Sequence, residues 1–334
     1  MQPDHYGDVA AEYAALRSGV GLLDLSFRAR LRLTGADRVR FLHNMLTNDI
    51  QALSPGSGCN AVKVSVQGKI EAALRVLCLE NELWCDLEPG ARETLLAGLG
   101  KRIVLEDVVL EDASNERALL SLQGPESAHT LRQMGVDVDA IPELHQHLAA
   151  SLAGFAVRVA RSDHTGDAGY DIWVAPEAAA ALRDALLAAG PRVQRVGRQA
   201  LDLRRIEAGI PWHERELTPE RFPQEAGLDN GWISYTKGCY LGQETIARIH
   251  HMGHVNRSLC GLLFDTQPVP EAGSRVWSGD KEIGIVTSAA HSFRLDRPVA
   301  LAYLRREVAA PGSAVEVRLG ARSRAAQVAA LPFA

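Results

Sequence analysis

The residues with most chemical reach in this sequence gather between positions 237 and 257. The run Lys237-Gly238-Cys239-Tyr240-Leu241-Gly242-Gln243-Glu244 sets a thiol two residues from an ammonium and between two glycines. Arg248, His250, His251, His254 and Arg257 follow it. Gly238 and Gly242 free the backbone for a tight turn or the close approach of a ligand, and residues 243–249 read as the first turns of a helix. A thiol near a helix N-terminus and an ammonium is biased toward thiolate, the nucleophilic and metal-binding form. Two readings of Cys239 follow, a reactive sulfur or a small buried hydrophobe behind a glycine turn.

Three histidines within five positions invite a zinc hypothesis, since His250 and His254 have the i,i+4 spacing of two ligands on one helix face. Gly253 stands where the helix should end, and no glutamate sits at the intervening position that metalloproteases use, so the expectation is no bound metal. His145 and His147 fall in a polar stretch after Pro142 and read as exposed. A second constellation, Arg161-Ser162-Asp163-His164-Thr165-Gly166-Asp167-Ala168-Gly169-Tyr170, is a polar glycine-containing turn between two strands. A third is Arg204-Arg205-Ile206-Glu207-Ala208-Gly209-Ile210-Pro211, where a helix stops at Gly209. Glu207 at a helix C-terminus opposes the dipole preference for cations, so its carboxylate either has a partner or is solvated.

The elements that must hold these residues are legible in part. Residues 28–34 alternate as a half-buried strand, and Gly35-Ala36-Asp37 opens a helical spacing of Val39, Leu42, Met45 and Leu46. Three apolar runs between 60 and 87, broken by Gln67-Gly68-Lys69 and Glu80-Asn81-Glu82, predict an antiparallel meander. A helix over 91–99 and a strand near 103–110 follow. Strands are predicted at 118–122, 157–160 and 170–174, with helices begun by Gly124-Pro125-Glu126 and over 176–189 and 198–208. Residues 210–236 lack periodicity, which in a connector of that length points to function. Beyond His254, short alternating runs separated by Gly, Pro and Asp predict a small β-barrel.

A chain of 334 residues exceeds what one hydrophobic core usually serves, so more than one domain is expected. With 46% apolar and 23% charged residues it is neither a disordered nor a membrane composition. No uninterrupted run of about 18 apolar residues exists and the first residues have no secretory pattern, which disfavours membrane and export. A net charge of −5 gives no global reason to expect nucleic acid or an anionic membrane as partner. Five cysteines without a CxxC pair argue against disulfides and a four-thiolate site, and point to a reducing cytoplasm.

Taken together, the three constellations resemble the folate-binding YgfZ family of the GcvT-like aminomethyltransferase superfamily. Lys-Gly-Cys-Tyr-x-Gly-Gln-Glu at 237–244 is similar to the signature of the YgfZ group. Thr165-Gly166-x-x-Gly169-Tyr170 and Arg205-x-Glu207-Ala208-Gly209-Ile210-Pro211 resemble the wider superfamily, as does the order from Gly21-Leu22-Leu23-Asp24-Leu25-Ser26 through Gly124-Pro125. The resemblance implies an α+β fold, a three-lobed GcvT-like ring of two mixed α/β lobes plus a C-terminal β-barrel. In it, 1–50 and 113–253 would form a discontinuous folate-binding lobe, 51–112 an inserted α+β lobe and 254–334 the barrel.

The resemblance also implies tetrahydrofolate or a one-carbon derivative as cofactor, with Glu207 matching the pterin-binding glutamate. Arg257 and Lys237 are its candidates for the glutamyl tail, Tyr170, Trp232 or Tyr235 for stacking, and Gly238 and Gly242 for close backbone approach. The function it implies is an accessory role in iron–sulfur cluster assembly or repair through Cys239 and Lys237, with iron–sulfur proteins or their assembly factors as partners. The alternative is a folate-dependent aminomethyltransferase or demethylase-type enzyme. Two departures weigh against that alternative. Thr94 stands near the place of the aminomethyltransferases' aspartate, with Glu88 and Glu93 as nearby substitutes, and His164 replaces the tyrosine expected before the Thr-Gly turn.

Overall fold

A computed structural model of the protein describes residues 3–190, 192–319 and 322–333; Met1, Gln2, Pro191, Gly320, Ala321 and Ala334 lie outside the described residues. The architecture is two mixed α/β lobes and a closed barrel. The chain divides into two compact units, one of residues 1–65, 71–201 and 231–241, the other of 66–70, 202–230 and 242–334.

The first unit holds both open sheets. One sheet has five strands in the spatial order Gly58–Val64, Ile70–Cys78, Leu83–Leu87, Ala29–Thr34 and Val109–Asp112. Helices Arg38–Met45 and Arg92–Gly100 cover it, because Phe41, Leu42, Leu95 and Leu99 recur at helical spacing and pack on Leu31, Leu33, Leu74 and Val76. The last strand begins later than the apolar run at 103–110 suggests, at Val109, and forms the sheet's edge.

The other sheet has six strands, ordered Val193–Arg195, Val20–Asp24, Ala118–Gln123, Gly169–Val174, Phe155–Ser162 and His147–Leu152. Among the described residues of this sheet, only the pair Val20–Asp24 with Val193–Arg195 is parallel. Helices Ser127–Gln133 and Ala179–Ala188 place Leu131, Leu182 and Leu186 on Val20, Leu22, Leu120 and Ile172. Helix Val9–Ser18 buries Tyr13, Ala15 and Leu16 and is capped at its N-terminus, where the Asp8 carboxylate accepts the N–H groups of Ala10 and Ala11.

The second unit contains the closed six-stranded barrel, in the order Arg257–Leu263, Arg297–Arg305, Lys281–Ser292, Arg275–Ser278, Ala314–Leu319 and Arg322–Ala329. Leu262, Phe264, Val276, Val286, Leu304, Val317 and Val328 fill it. Closure leaves no open strand edge, which suits strands this short.

Two histidines depart from the sequence reading. His145 and His147 are buried, each 3% exposed. The chain is bonded on both sides at this point: His145 N–H donates to Arg161 O of the neighbouring strand at 3.0 Å, and His147 N–H donates to Gly56 O at 2.8 Å. Polar neighbours in sequence hid an inward-facing strand start. Burial, with Arg75 adding to it, lowers His145 from 6.5 to about 3, and burial with Arg158 lowers His147 to about 4.

A buried neutral histidine of this kind stabilises the fold above its unfolded pKa of 6.5 and loses that contribution as pH falls toward the folded value, because the unfolded chain binds the proton first. We predict that the melting temperature declines between about pH 6.5 and pH 4. His145→Leu should flatten part of that slope in thermal scans across pH, and an unchanged slope would remove His145 as its source.

Candidate functional site

Residues 231–241 lie against the end of helix Arg38–Met45, held by backbone bonds on both sides. Thr47 Oγ1 donates to Trp232 O at 2.7 Å, Ser234 N–H to Thr47 O at 3.0 Å, Asn48 Nδ2 to Gly231 O at 2.9 Å, and Leu241 N–H to Asn44 O at 3.1 Å. Lys237 fastens the centre. Its buried Nζ donates to the carbonyl oxygens of His43 at 2.5 Å, Leu46 at 2.8 Å and Asn48 at 2.9 Å. A helix leaves its last carbonyls without intrahelical partners and carries negative charge there, so a cation suits this position. Burial lowers Lys237 to about 8, against the opposing pull of Asp49. The ammonium's three donors are thus engaged by backbone, which differs from the expectation that it serves the thiol.

Lys237 anchors the loop while Cys239 is presented to solvent. The other four cysteines are withdrawn: burial pushes the Cys59 thiol up to about 12 and Cys260 to about 11, and raises Cys78 and Cys85 as well. None of those four is ionised near neutral pH. Gly238 is exposed, and the atom nearest to where a Cβ would stand on it is His43 Nε2, at 3.8 Å. His43 itself is 5% exposed, with Nδ1 3.2 Å from Asp49 Oδ1. This imidazole and carboxylate beside the cysteine turn had no signal in the sequence, because some 190 residues separate them. Tyr240 is buried, its ring centroid 5.0 Å from Lys237 Nζ. Gly242, at φ +86°, is the left-handed N-cap of helix Gln243–Met252, a conformation that side chains beyond glycine rarely adopt. The helix ends at Gly253, ahead of His254.

Glu207 occupies the last turn of helix Arg198–Ala208 in the second unit. Its carboxylate is buried and has partners: Arg204 Nη1 donates to Oε2 at 2.9 Å and Ser292 Oγ to Oε1 at 2.5 Å. Arg204 stands in the same run that the sequence singled out, whereas Ser292 was absent from the sequence reading. Arg257 opens its barrel strand directly opposite Arg305, on the same face of the antiparallel pair, which gathers two cations. Tyr170 packs in the core of the six-stranded sheet, with the Arg161 guanidinium 5.1 Å from its ring centroid. Trp232 is half-buried in the 231–241 segment.

The stretch after strand Leu83–Leu87 offers no carboxylate ready for acid–base work. Glu88 is paired with Arg28, Asp86 with Arg28 and Arg75, and Glu93 and Thr94 face solvent on helix Arg92–Gly100. His164 is held by Asp171, with Nε2 3.0 Å from both carboxylate oxygens. Among the described residues, no group of three or more His, Cys, Asp or Glu could hold a metal ion, and no helix is long and apolar enough to cross a membrane.

Comparison with known proteins agrees with this architecture. Residues 1–234 match the GCVT N-terminal domain, and residues 257–334 match the glycine cleavage T-protein C-terminal barrel domain. The aminomethyltransferase of Streptomyces avermitilis is 32% identical over 99% of this chain and 91% of its own length. That of Geobacillus kaustophilus is 30% identical over 99% and 92%. The crystal structure of the glycine cleavage system aminomethyltransferase T from Bartonella henselae superposes with a TM-score of 0.90 at 27% identity, covering 100% of this chain and 91% of that one. The chain belongs to the glycine cleavage T-protein family, the GcvT-like aminomethyltransferase superfamily.

Lys237→Met removes three donors from three carbonyls. It should destabilise the fold by about 1–3 kcal/mol, the cost of leaving such acceptors unmet. Amide exchange at Ser234 and Leu241 should speed up more than exchange in the sheets. Equal protection in the variant would show that the loop is held without the lysine.

Proposed function

We propose that this protein binds tetrahydrofolate or a one-carbon derivative of it and acts as a folate-dependent protein of the aminomethyltransferase type. The observation that carries the reading is Glu207, a buried carboxylate held at a helix end by an arginine and a serine. A pterin offers adjacent N–H donors on one edge, which a fixed carboxylate accepts in a charge-assisted pair. The names of the relatives support the same cofactor class. Arg257 beside Arg305 suits an anionic glutamyl tail. Trp232, Tyr170, Gly238 and Gly242 are proposed for the same cofactor on the resemblance alone.

Glu207→Gln turns one acceptor into a donor facing the pterin N–H groups. A charge-assisted bond is worth roughly 1.5–3 kcal/mol, so calorimetry should show about a tenfold to hundredfold loss of tetrahydrofolate affinity. Undiminished affinity would take Glu207 out of the site.

A second reading is favoured by two observations: Cys239 is the exposed thiol among four buried or partly buried ones, and the stretch at 84–94 has no unpaired buried carboxylate. In it the protein is an accessory factor of the YgfZ kind for iron–sulfur cluster assembly or repair. One thiolate does not fill the four or so ligand positions of a cluster, so cluster contact would be shared with an iron–sulfur protein or assembly factor. Cys239→Ser separates the readings. It should retain the melting temperature and folate affinity, because an exposed thiol fills no core space. Under the accessory reading it fails to restore iron–sulfur enzyme activity in a deletion strain; full rescue would leave the one-carbon reading standing alone.

A further inference from the structure

We infer that Ser292, on the last residue of barrel strand Lys281–Ser292, is the positioning residue that sets the Glu207 carboxylate for ligand recognition. The inference rests on the folate reading above and deepens it by giving the serine bonded to Glu207 a separate, measurable role. Ser292 is fully buried. Its Oγ accepts the Leu295 N–H at 3.1 Å, which directs the hydroxyl proton elsewhere, and it donates that proton to Glu207 Oε1 at 2.5 Å. Backbone, hydroxyl and carboxylate therefore form one directed chain.

The same turn fixes where the helix end can lie. Phe333 N–H donates to Glu207 O at 2.9 Å, and the Arg294 guanidinium donates to Phe333 O. Gly209, at φ +72°, ends the helix with Leu331 so close that an added Cβ would stand 2.8 Å from the Leu331 Cβ. The carbonyl and the carboxylate of Glu207 are thus both tied to the barrel and its C-terminal segment. Arg204 on its own helix is a charged group bonded to this carboxylate, and Arg294 on the barrel turn bonds the Phe333 carbonyl. Arg204 supplies charge from the same helix. Ser292 refers the carboxylate to a different element, so that Oε1 is fixed from the barrel while Arg204 holds Oε2 from the helix.

The test is a double-mutant cycle read by calorimetric tetrahydrofolate binding, with thermal melting to normalise for folded protein. Ser292→Ala should weaken binding about five- to twentyfold, less than the loss of a charge-assisted bond to the ligand itself, because the serine acts through Glu207. Ser292→Thr should restore it within about threefold by returning the hydroxyl. In a Glu207→Ala background, Ser292→Ala should cost less than about twofold, because the group it positions is gone. Equal losses in both backgrounds, or wild-type affinity in Ser292→Ala while Glu207→Gln is impaired, would overturn the inference and leave the folate reading intact. Absence of tetrahydrofolate binding by the wild-type protein would overturn both.

Discussion

In the larger unit, one buried guanidinium makes the two sheets a single body. Arg75 lies on strand Ile70–Cys78 opposite Asp86, and its Nη2 is 2.7 Å from Asp86 Oδ2 and 2.6 Å from Asp171 Oδ2. Asp86 belongs to the same sheet and Asp171 to the other. Burial alone would raise Asp171, but His164 and Arg75 outweigh it and hold the carboxyl well below the usual range. Desolvating such charges is costly, and removing one member of a buried pair leaves a charge worth roughly 3–5 kcal/mol of destabilisation. The constraint also fixes register. Leu74 and Val76 face the apolar core while Arg75 faces the seam, so a slip of one residue would exchange them.

That arrangement explains what the sequence disclosed and what it hid. The strand at 29–34 and the helix after it were legible because alternation and 3.6-residue spacing reflect one buried face each. The barrel was legible because its short alternating runs carry turn residues between them. Helix Val9–Ser18 was not, since its alanine-rich run has no clear stripe. Its neighbour Val20–Asp24 pairs with Val193–Arg195, a contact between segments some 170 residues apart. His145 and His147 read as solvated from their neighbours and are buried by a strand pairing that local polarity does not encode.

The candidate site divides the same way. That Lys237 and Cys239 share a loop, and that Glu207 ends a helix, is visible in the order of residues. Which groups they touch is not. Lys237 finds its carbonyls near position 45 and Glu207 finds its hydroxyl at position 292, so both partnerships are tertiary. Glutamate at a helix C-terminus did carry a signal, a local violation of the dipole preference, and the structure supplies its compensation in Arg204 and Ser292.

The geometry also bears on why one thiol of five reaches the surface. An ammonium two residues away suggested activation by charge, yet Lys237 directs its donors into backbone carbonyls and so acts on the shape of the loop. Selectivity comes from the other direction. Burial keeps Cys59, Cys78, Cys85 and Cys260 protonated, while the anchored loop leaves Cys239 at the surface. A soluble oxidant or a partner's sulfur therefore meets one cysteine, whatever the intrinsic reactivity of that thiol. Around the exposed glycine and cysteine, the loop is held by the buried Tyr240, by the backbone bonds of Ser234 and Leu241 and by Lys237. The lysine's three hydrogen bonds to the end of a well-packed helix add to what side-chain burial supplies there.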